Sequence, residues 1–190
     1  MNQDNMIISD MQYLTLNKNN YTAPILDIGG GGEGVIGKLY GKNVVAIDIR
    51  KDELEETSNE ALKIVMDATD LKFLDNSFPT ATAFFTLMYM NHETKLKALK
   101  EAYRVLKPGG ILDVYEVNMP PYMGDNKEIF VLQLKYTIDN KETQTGYGCR
   151  LKAKNINKEY YLALLQSAGF VANIVFEKDQ IFKISAQKAE

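Results

Sequence analysis

Residues 25–37 read ILDIGGGGEGVIG. The opening run is apolar apart from one aspartate and stops at glycine, the pattern of a short strand buried on both faces. Val35, Ile36 and Leu39 then fall at helical spacing. Between strand and helix, Gly29, Gly31 and Gly34 spell G-x-G-x-x-G. Glycines here let the backbone turn tightly and let a ligand approach the start of the helix. That spacing alone does not say which ligand. Asp48 closes the next apolar run, NVVAIDI, ~20 residues past the first glycine, where a carboxylate can accept hydrogen bonds from both ribose hydroxyls. NAD and S-adenosylmethionine (SAM) sites share that feature.

Working outward, the same alternation continues. RKDELEETSNE leaves room for a short helix, ALKIVMDA reads as a third strand and ATAFFTLMYM as a fourth. HETKLKALKEAYRVL places Leu96, Leu99, Tyr103 and Leu106 on one face of an amphipathic helix, with Asn91 as its N-cap. KPGG stops it and ILDVYEV is a fifth strand. Strand and helix in alternation predict an α/β fold with a doubly wound, mostly parallel sheet. The pattern then changes. Phe130, Leu132, Leu134, Tyr136 and Ile138 alternate with mostly polar residues, DNKE makes a turn, and Tyr147, Cys149, Leu151 and Ala153 alternate again. This predicts an inserted antiparallel hairpin over 128–154. The apolar face of an isolated hairpin must be covered, by its own sheet, by a substrate pocket or by a second copy in a homodimer. A helix in KEYYLALLQSAGF, ended by Gly169, and two strands turning at Asp179 complete a seven-stranded sheet. Residues 1–22 are polar and without clear period, and are expected to be disordered or to form a lid. The 190 residues are expected to make one domain.

Composition narrows the partners. Net charge is −3 with no long Lys/Arg run, so a nucleic-acid partner is not expected. The single cysteine, Cys149, excludes an internal disulfide and a cysteine-based zinc site, and no metal is expected. MNQDNMIISD does not read as a secretory signal, and no apolar run approaches the ~20 residues of a membrane span. A soluble, cytoplasmic protein is expected.

Two features bear on the ligand. Asp27 stands at the strand end, two residues before Gly29, where a dinucleotide loop usually carries an apolar residue because pyrophosphate is anionic. A carboxylate there suits a cationic ammonium or sulfonium. A dehydrogenase also needs a substrate domain, for which little chain remains. YRVLK matches a Tyr-x-x-x-Lys pair, but on the wrong helix.

With these segments in view, the sequence resembles the class I SAM-dependent methyltransferases, in particular the methyltransferase type 11 group that includes ubiquinone/menaquinone-type C-methyltransferases. ILDIGGGGEG is similar to the first motif, AIDI to the second, MDATDLKFLDNSF to the third region, EAYRVLKPGGIL to the helix and turn after the fourth strand, and LLQSAGF to the last helix. The likeness covers 24–118 well and 158–188 loosely. It implies a Rossmann-like methyltransferase fold with SAM as cofactor and a small-molecule acceptor. It implies that Asp27, Gly29 and Gly31 line the methionine end, that Asp48 holds the ribose and that Ile49 packs on adenine. Asp67 and Ala68 would contact the adenine edge, although Asp67 also reads as an ordinary turn aspartate. Leu87 to Tyr89 would flank the methyl. The sequence departs from the family where Glu33 replaces the third glycine, where Pro79 replaces an acidic residue, where no histidine stands near Met88 and Tyr89, and where Asp113 interrupts an apolar strand. A buried Asp113 needs a partner or a raised pKa.

Methyl transfer from a sulfonium is an in-line displacement, so the protein supplies alignment and exclusion of water, with a base only if the acceptor must lose a proton. Glu116, Tyr89 and His92 are the candidate catalytic residues; Asn118 and Tyr122 also lie near strand ends. NMPPY at 118–122 is similar to an amino-methylating DNA-enzyme motif, but follows the wrong strand. Two other readings stay open: a SAM-binding protein without transfer activity, and an NAD-binding module.

Overall fold

The structure is a computed structural model that describes residues 3–151 and 155–190. The end of the predicted hairpin, 152–154, lies outside the described residues, as do residues 1–2. In chain order the strands are β1 (Met6–Ile8), β2 (Gln12–Leu16), β3 (Ile25–Ile28), β4 (Val44–Asp48), β5 (Leu62–Val65), β6 (Phe78–Phe84), β7 (Leu106–Val117), β8 (Ile129–Ile138), β9 (Lys141–Arg150), β10 (Val171–Lys178) and β11 (Ile181–Gln187). The helices are α1 (Val35–Tyr40), α2 (Lys51–Glu56), α3 (His92–Val105) and α4 (Lys158–Ser167).

Among the described residues the strands form two sheets. The seven-stranded one has the order β10-β11-β7-β6-β3-β4-β5. Its pairs are parallel from β7 to β5, and β11 is antiparallel to both neighbours. The central strand β3 is buried at every position, which is why its sequence shows no alternation. Register places Asp27, Thr82, Asp113 and Ser185 in one line across four strands, hence on one face. Glu116 belongs to the opposite face, with α3 and α4, because successive strand residues point to opposite sides.

Helix α3 begins as expected: the Asn91 side chain accepts the Thr94 amide at 2.9 Å. Its buried stripe, however, is Lys95, Ala98, Leu99, Ala102 and Val105, one position round from the predicted one. Leu96 and Tyr103 flank that stripe, and Leu106 already belongs to β7. Ala98 and Ala102 let the helix lie close to the sheet, and the buried Lys95 is tolerated because the Glu116 carboxylate lies near it.

The second sheet corrects the reading of residues 1–22. β1 and β2 run parallel along one edge of β8, and β9 pairs with its other edge. Residues 6–8 and 12–16 are therefore strand, and none of the described residues of the N-terminal segment lines the main cleft. That segment is also tied to the larger sheet. The Tyr21 hydroxyl donates to Asp113 Oδ2, which pairs with Lys183 Nζ at 2.6 Å. Asp113 thus has partners on Oδ2, while its buried Oδ1 has no hydrogen-bond partner among the described residues. The β8–β9 turn is the two-residue kind, with Asp139 and Asn140 both at positive φ (49° and 62°). Phe130, Leu132, Leu134 and Tyr136 are fully buried and belong to the same hydrophobic cluster as the central strands. The hairpin's apolar face is covered by its own chain, which removes the need for a second copy there.

Candidate functional site

Asp27, Asp48 and Asp67 come from β3, β4 and the turn after β5, all at the carboxyl ends of parallel strands, and they open on one cleft of about 1000 Å³. This is where an open α/β sheet offers room for a ligand. The glycine loop forms one wall. Gly29 has φ +71°, and a Cβ there would lie 2.0 Å from Thr86 Oγ1. Its amide donates to Ile47 O at 2.8 Å, holding the loop against β4. A Cβ on Gly31 would come within 2.9 Å of Asp48 Oδ2, so glycine keeps that carboxylate oxygen accessible.

Asp27 is 2% exposed and accepts the Thr82 hydroxyl at 2.8 Å. Burial pushes its carboxyl up to about 7, against the lowering effect of the Thr82 bond, and the Asp48 charge pushes the same way as burial. Asp48 Oδ1 accepts the Arg50 amide at 2.9 Å, and Asp67 Oδ1 accepts the Thr69 amide at 2.8 Å. Each closes a local turn with one oxygen, so the ordinary turn role of Asp67 is real and its second oxygen is not used for it. Ile49 is 69% exposed on the cleft wall, an apolar surface a planar base can cover. Ala68 lines the same region.

The other sequence candidates divide. Tyr89 lines the cleft and is 51% exposed. Desolvation and nearby acidic groups raise its phenol pKa, so the hydroxyl keeps its proton at neutral pH. Leu87 is 1% exposed and packs beneath the turn instead of lining the cleft; Phe85 and Thr86 take that place. Glu116 is 0% exposed, accepts the Met88 amide at 3.0 Å and faces Tyr161 on the far side of the sheet. Burial raises its pKa, and it is not among the residues that line the cleft. His92 is at the surface, its Nδ1 3.0 Å from the Tyr160 hydroxyl, also away from the cleft. Asn118 accepts the Lys158 amide at 3.0 Å, and the Tyr122 hydroxyl donates to Asp125 O; neither borders the cleft.

Gly30 and Glu33 were missed as site residues, whereas Tyr147 was among the hairpin aromatics expected to be able to line a small-molecule site. Gly30 is as constrained as its neighbours, since a Cβ would lie 2.6 Å from Asp27 Oδ2; the uninterrupted glycine run was its signal. Tyr147 reaches the cleft from β9 between Gly146 and Gly148, and glycine inside a strand marks close approach of another group. Glu33 accepts the Thr145 hydroxyl, which joins the glycine loop to the hairpin. The hairpin is therefore a roof over the cleft, not an appendage to it.

The cleft is acidic. Asp27, Glu33, Asp48, Glu53, Glu56 and Asp67 line it, against Arg50 alone among the described basic residues. The Arg50 guanidinium is already taken by Asp52 and by Glu53, the latter at 2.9 Å. A pyrophosphate would enter this surroundings without a free cation, which opposes the dinucleotide reading. A sulfonium nucleoside fits the donor and acceptor set.

Residues 26–114 match the family model described as a methyltransferase domain. The chain is 29% identical over 163 residues to a ubiquinone/menaquinone biosynthesis C-methyltransferase of Zymomonas mobilis, covering 77% of this chain and 66% of that protein. It is 29% identical over 162 residues to a phosphoethanolamine N-methyltransferase of Plasmodium falciparum, covering 79% and 58%. The chain spans about half to two thirds of the length of these curated relatives. Among solved structures, a SAM-dependent methyltransferase of Methanosarcina mazei superposes with TM-score 0.61 at 21% identity, covering 90% of this chain and 95% of that one. At that identity the likeness establishes the fold: a Rossmann-like methyltransferase sheet. No helix among the described residues is long and apolar enough to cross a membrane.

Proposed function

We propose that this chain is a class I SAM-dependent methyltransferase and moves the SAM methyl group to a small-molecule acceptor held in the same cleft. One observation carries the reading: the glycine cradle and its strand-end carboxylates share a single acidic cleft with an aromatic region roofed by β9. SAM supplies an activated methyl on a cationic sulfur. Asp48 offers its unused oxygen to the ribose hydroxyls. Ile49 and Ala68 cover the base, and Asp67 accepts from its amino edge. Asp27, Gly29 and Gly31 face the methionine end, where a negative or polar lining favours cationic groups. The roof excludes water and fixes the direction of approach, which is the main demand of an in-line displacement.

A second reading, SAM binding without transfer, has an observation of its own: Glu116 and His92 both lie off the cleft. Calorimetry with SAM, S-adenosylhomocysteine and NAD(H) tests the cofactor assignment; binding of the first two and not the third is expected, and NAD(H) binding without SAM binding overturns it. Labelled-methyl incorporation into a metabolite mixture separates transfer from binding alone.

A further inference from the structure

The nucleoside end of the cleft is formed by Asp48, Ile49, Asp67 and Ala68. The opposite end has different chemistry. Phe84 and Phe85 close β6, Tyr89 and Met90 follow in the next turn, and Tyr147 comes down from the roof. Phe84 and Phe85 meet edge to face with centroids 4.8 Å apart, and Tyr147 stacks on Phe85 at 5.3 Å. The three rings thus pack as one aromatic group.

A carboxylate from the glycine loop reaches it. Glu33 projects from the glycine loop, accepts the Thr145 hydroxyl and lies close enough to Tyr89 and Tyr147 for its charge to act on both phenols. The Tyr147 hydroxyl also donates to Glu33, and the two oxygens of a carboxylate still have room for a further donor after two hydroxyls. No described lysine lines the cleft. Lys95, behind the chamber, directs its ammonium to Met90 O at 2.9 Å. The amino end of α3 borders the chamber, but Asn91 caps it and Glu93 occupies its first turn. The fixed charge facing the chamber is negative, and the ring faces add to it, since an aromatic face attracts cations.

Resting on the SAM reading above, we propose that the acceptor is a primary or secondary amine on an apolar body, with Glu33 engaging the nitrogen and the aromatic chamber holding the body. The bound ammonium first gives up one proton to solvent, and the amine then reacts as the free base. Its lone pair forms the new N–C bond to the methyl carbon as the C–S bond breaks, and that bond's electron pair stays on sulfur, which becomes a neutral thioether. The nitrogen becomes a methylated ammonium, whose charge the Glu33 carboxylate balances, and the product leaves in that form. An acceptor bearing a carboxylate at that position would meet Glu33 with like charge, while Arg50, the one basic residue lining the cleft among those described, is already paired with Asp52 and Glu53.

The test uses the full chain saturated with S-adenosylhomocysteine, whose own binding is measured first. Phenethylamine, 2-phenylethanol and 3-phenylpropionate are then titrated by calorimetry as probes sharing one ring. The amine is expected to bind at least tenfold more tightly than the carboxylate. Glu33→Gln keeps the side-chain shape and the bond from Thr145, and is expected to abolish that preference while leaving 2-phenylethanol within twofold. Labelled SAM should place its methyl on phenethylamine and not on the alcohol. Equal affinity for amine and carboxylate, retention of the preference in Glu33→Gln, or failure of all three probes to bind the loaded protein would each overturn the proposal. Failure of S-adenosylhomocysteine itself to bind would instead strike the SAM reading on which it rests.

Discussion

Replacing Asp27 by asparagine should make the protein more stable above neutral pH and worse at holding SAM. The carboxyl ordinarily titrates at 3.8 and is pushed up to about 7 by burial in the fold. Between those two values the folded state keeps a proton that the unfolded state has released, so stability falls as pH rises, and the loss is complete above about 7. At 1.36 kcal/mol for each pH unit between them, the cost approaches ~4 kcal/mol, an upper bound because local relaxation reduces it. Asparagine carries no charge to desolvate, and its carbonyl can still accept the Thr82 hydroxyl. Urea denaturation of both proteins from pH 4 to 8.5 should show their stability difference widening toward pH 7 and flat beyond. Other titrating groups, the buried Glu116 included, cancel in that difference. A cationic ligand beside Asp27 favours its ionised form, so SAM affinity should rise with pH toward 7 in the parent and rise less in Asp27→Asn. A stability difference constant within about 0.5 kcal/mol across the range would refute the burial argument. Matching pH dependences of SAM affinity would remove Asp27 from the ligand's surroundings. The residue would be one that costs stability in the service of binding.

Three further outcomes are expected. Asp48→Ala should weaken SAM binding by about 1–3 kcal/mol, the cost of losing hydrogen bonds to a charged group, and unchanged calorimetric affinity in a folded variant would exclude Asp48 from the site. Glu116→Ala leaves the buried Lys95 ammonium without its neighbouring carboxylate and should cost about 3–5 kcal/mol in urea denaturation, whereas His92→Ala at the surface should stay within about 0.5 kcal/mol; the reverse order would contradict their placement. Because Thr145 and Tyr147 join the roof to the glycine loop and the cleft, replacing residues 129–150 with a short loop should reduce SAM affinity more than tenfold, checked by calorimetry on a chain shown folded by circular dichroism.

Much of this protein is local, and local features are legible in a sequence. Glycine between a strand and a helix, an aspartate at the end of each of two strands, Asn91 before a helical stripe, and Asp139–Asn140 between two alternating runs each act within a few residues of themselves. Backbone sterics and side-chain–backbone hydrogen bonds fix them before any distant contact forms. The cofactor side of the cleft follows from such features. Tertiary structure alone decided the rest. In a strand buried on both faces, both parities are apolar, so no pattern tells which residue looks toward the cleft; Tyr115 and Glu116 are neighbours in β7, and Glu116 faces α3 and α4. The five residues of β2 alternate too briefly, and with polar members, to announce a strand; their pairing with β8, far along the chain, supplies the order. Glu33 and Thr145 meet across the whole central sheet's sequence, and no local rule could join them. What covers the cleft, and so what the acceptor meets, is set by packing between segments that have no propensity to predict one another.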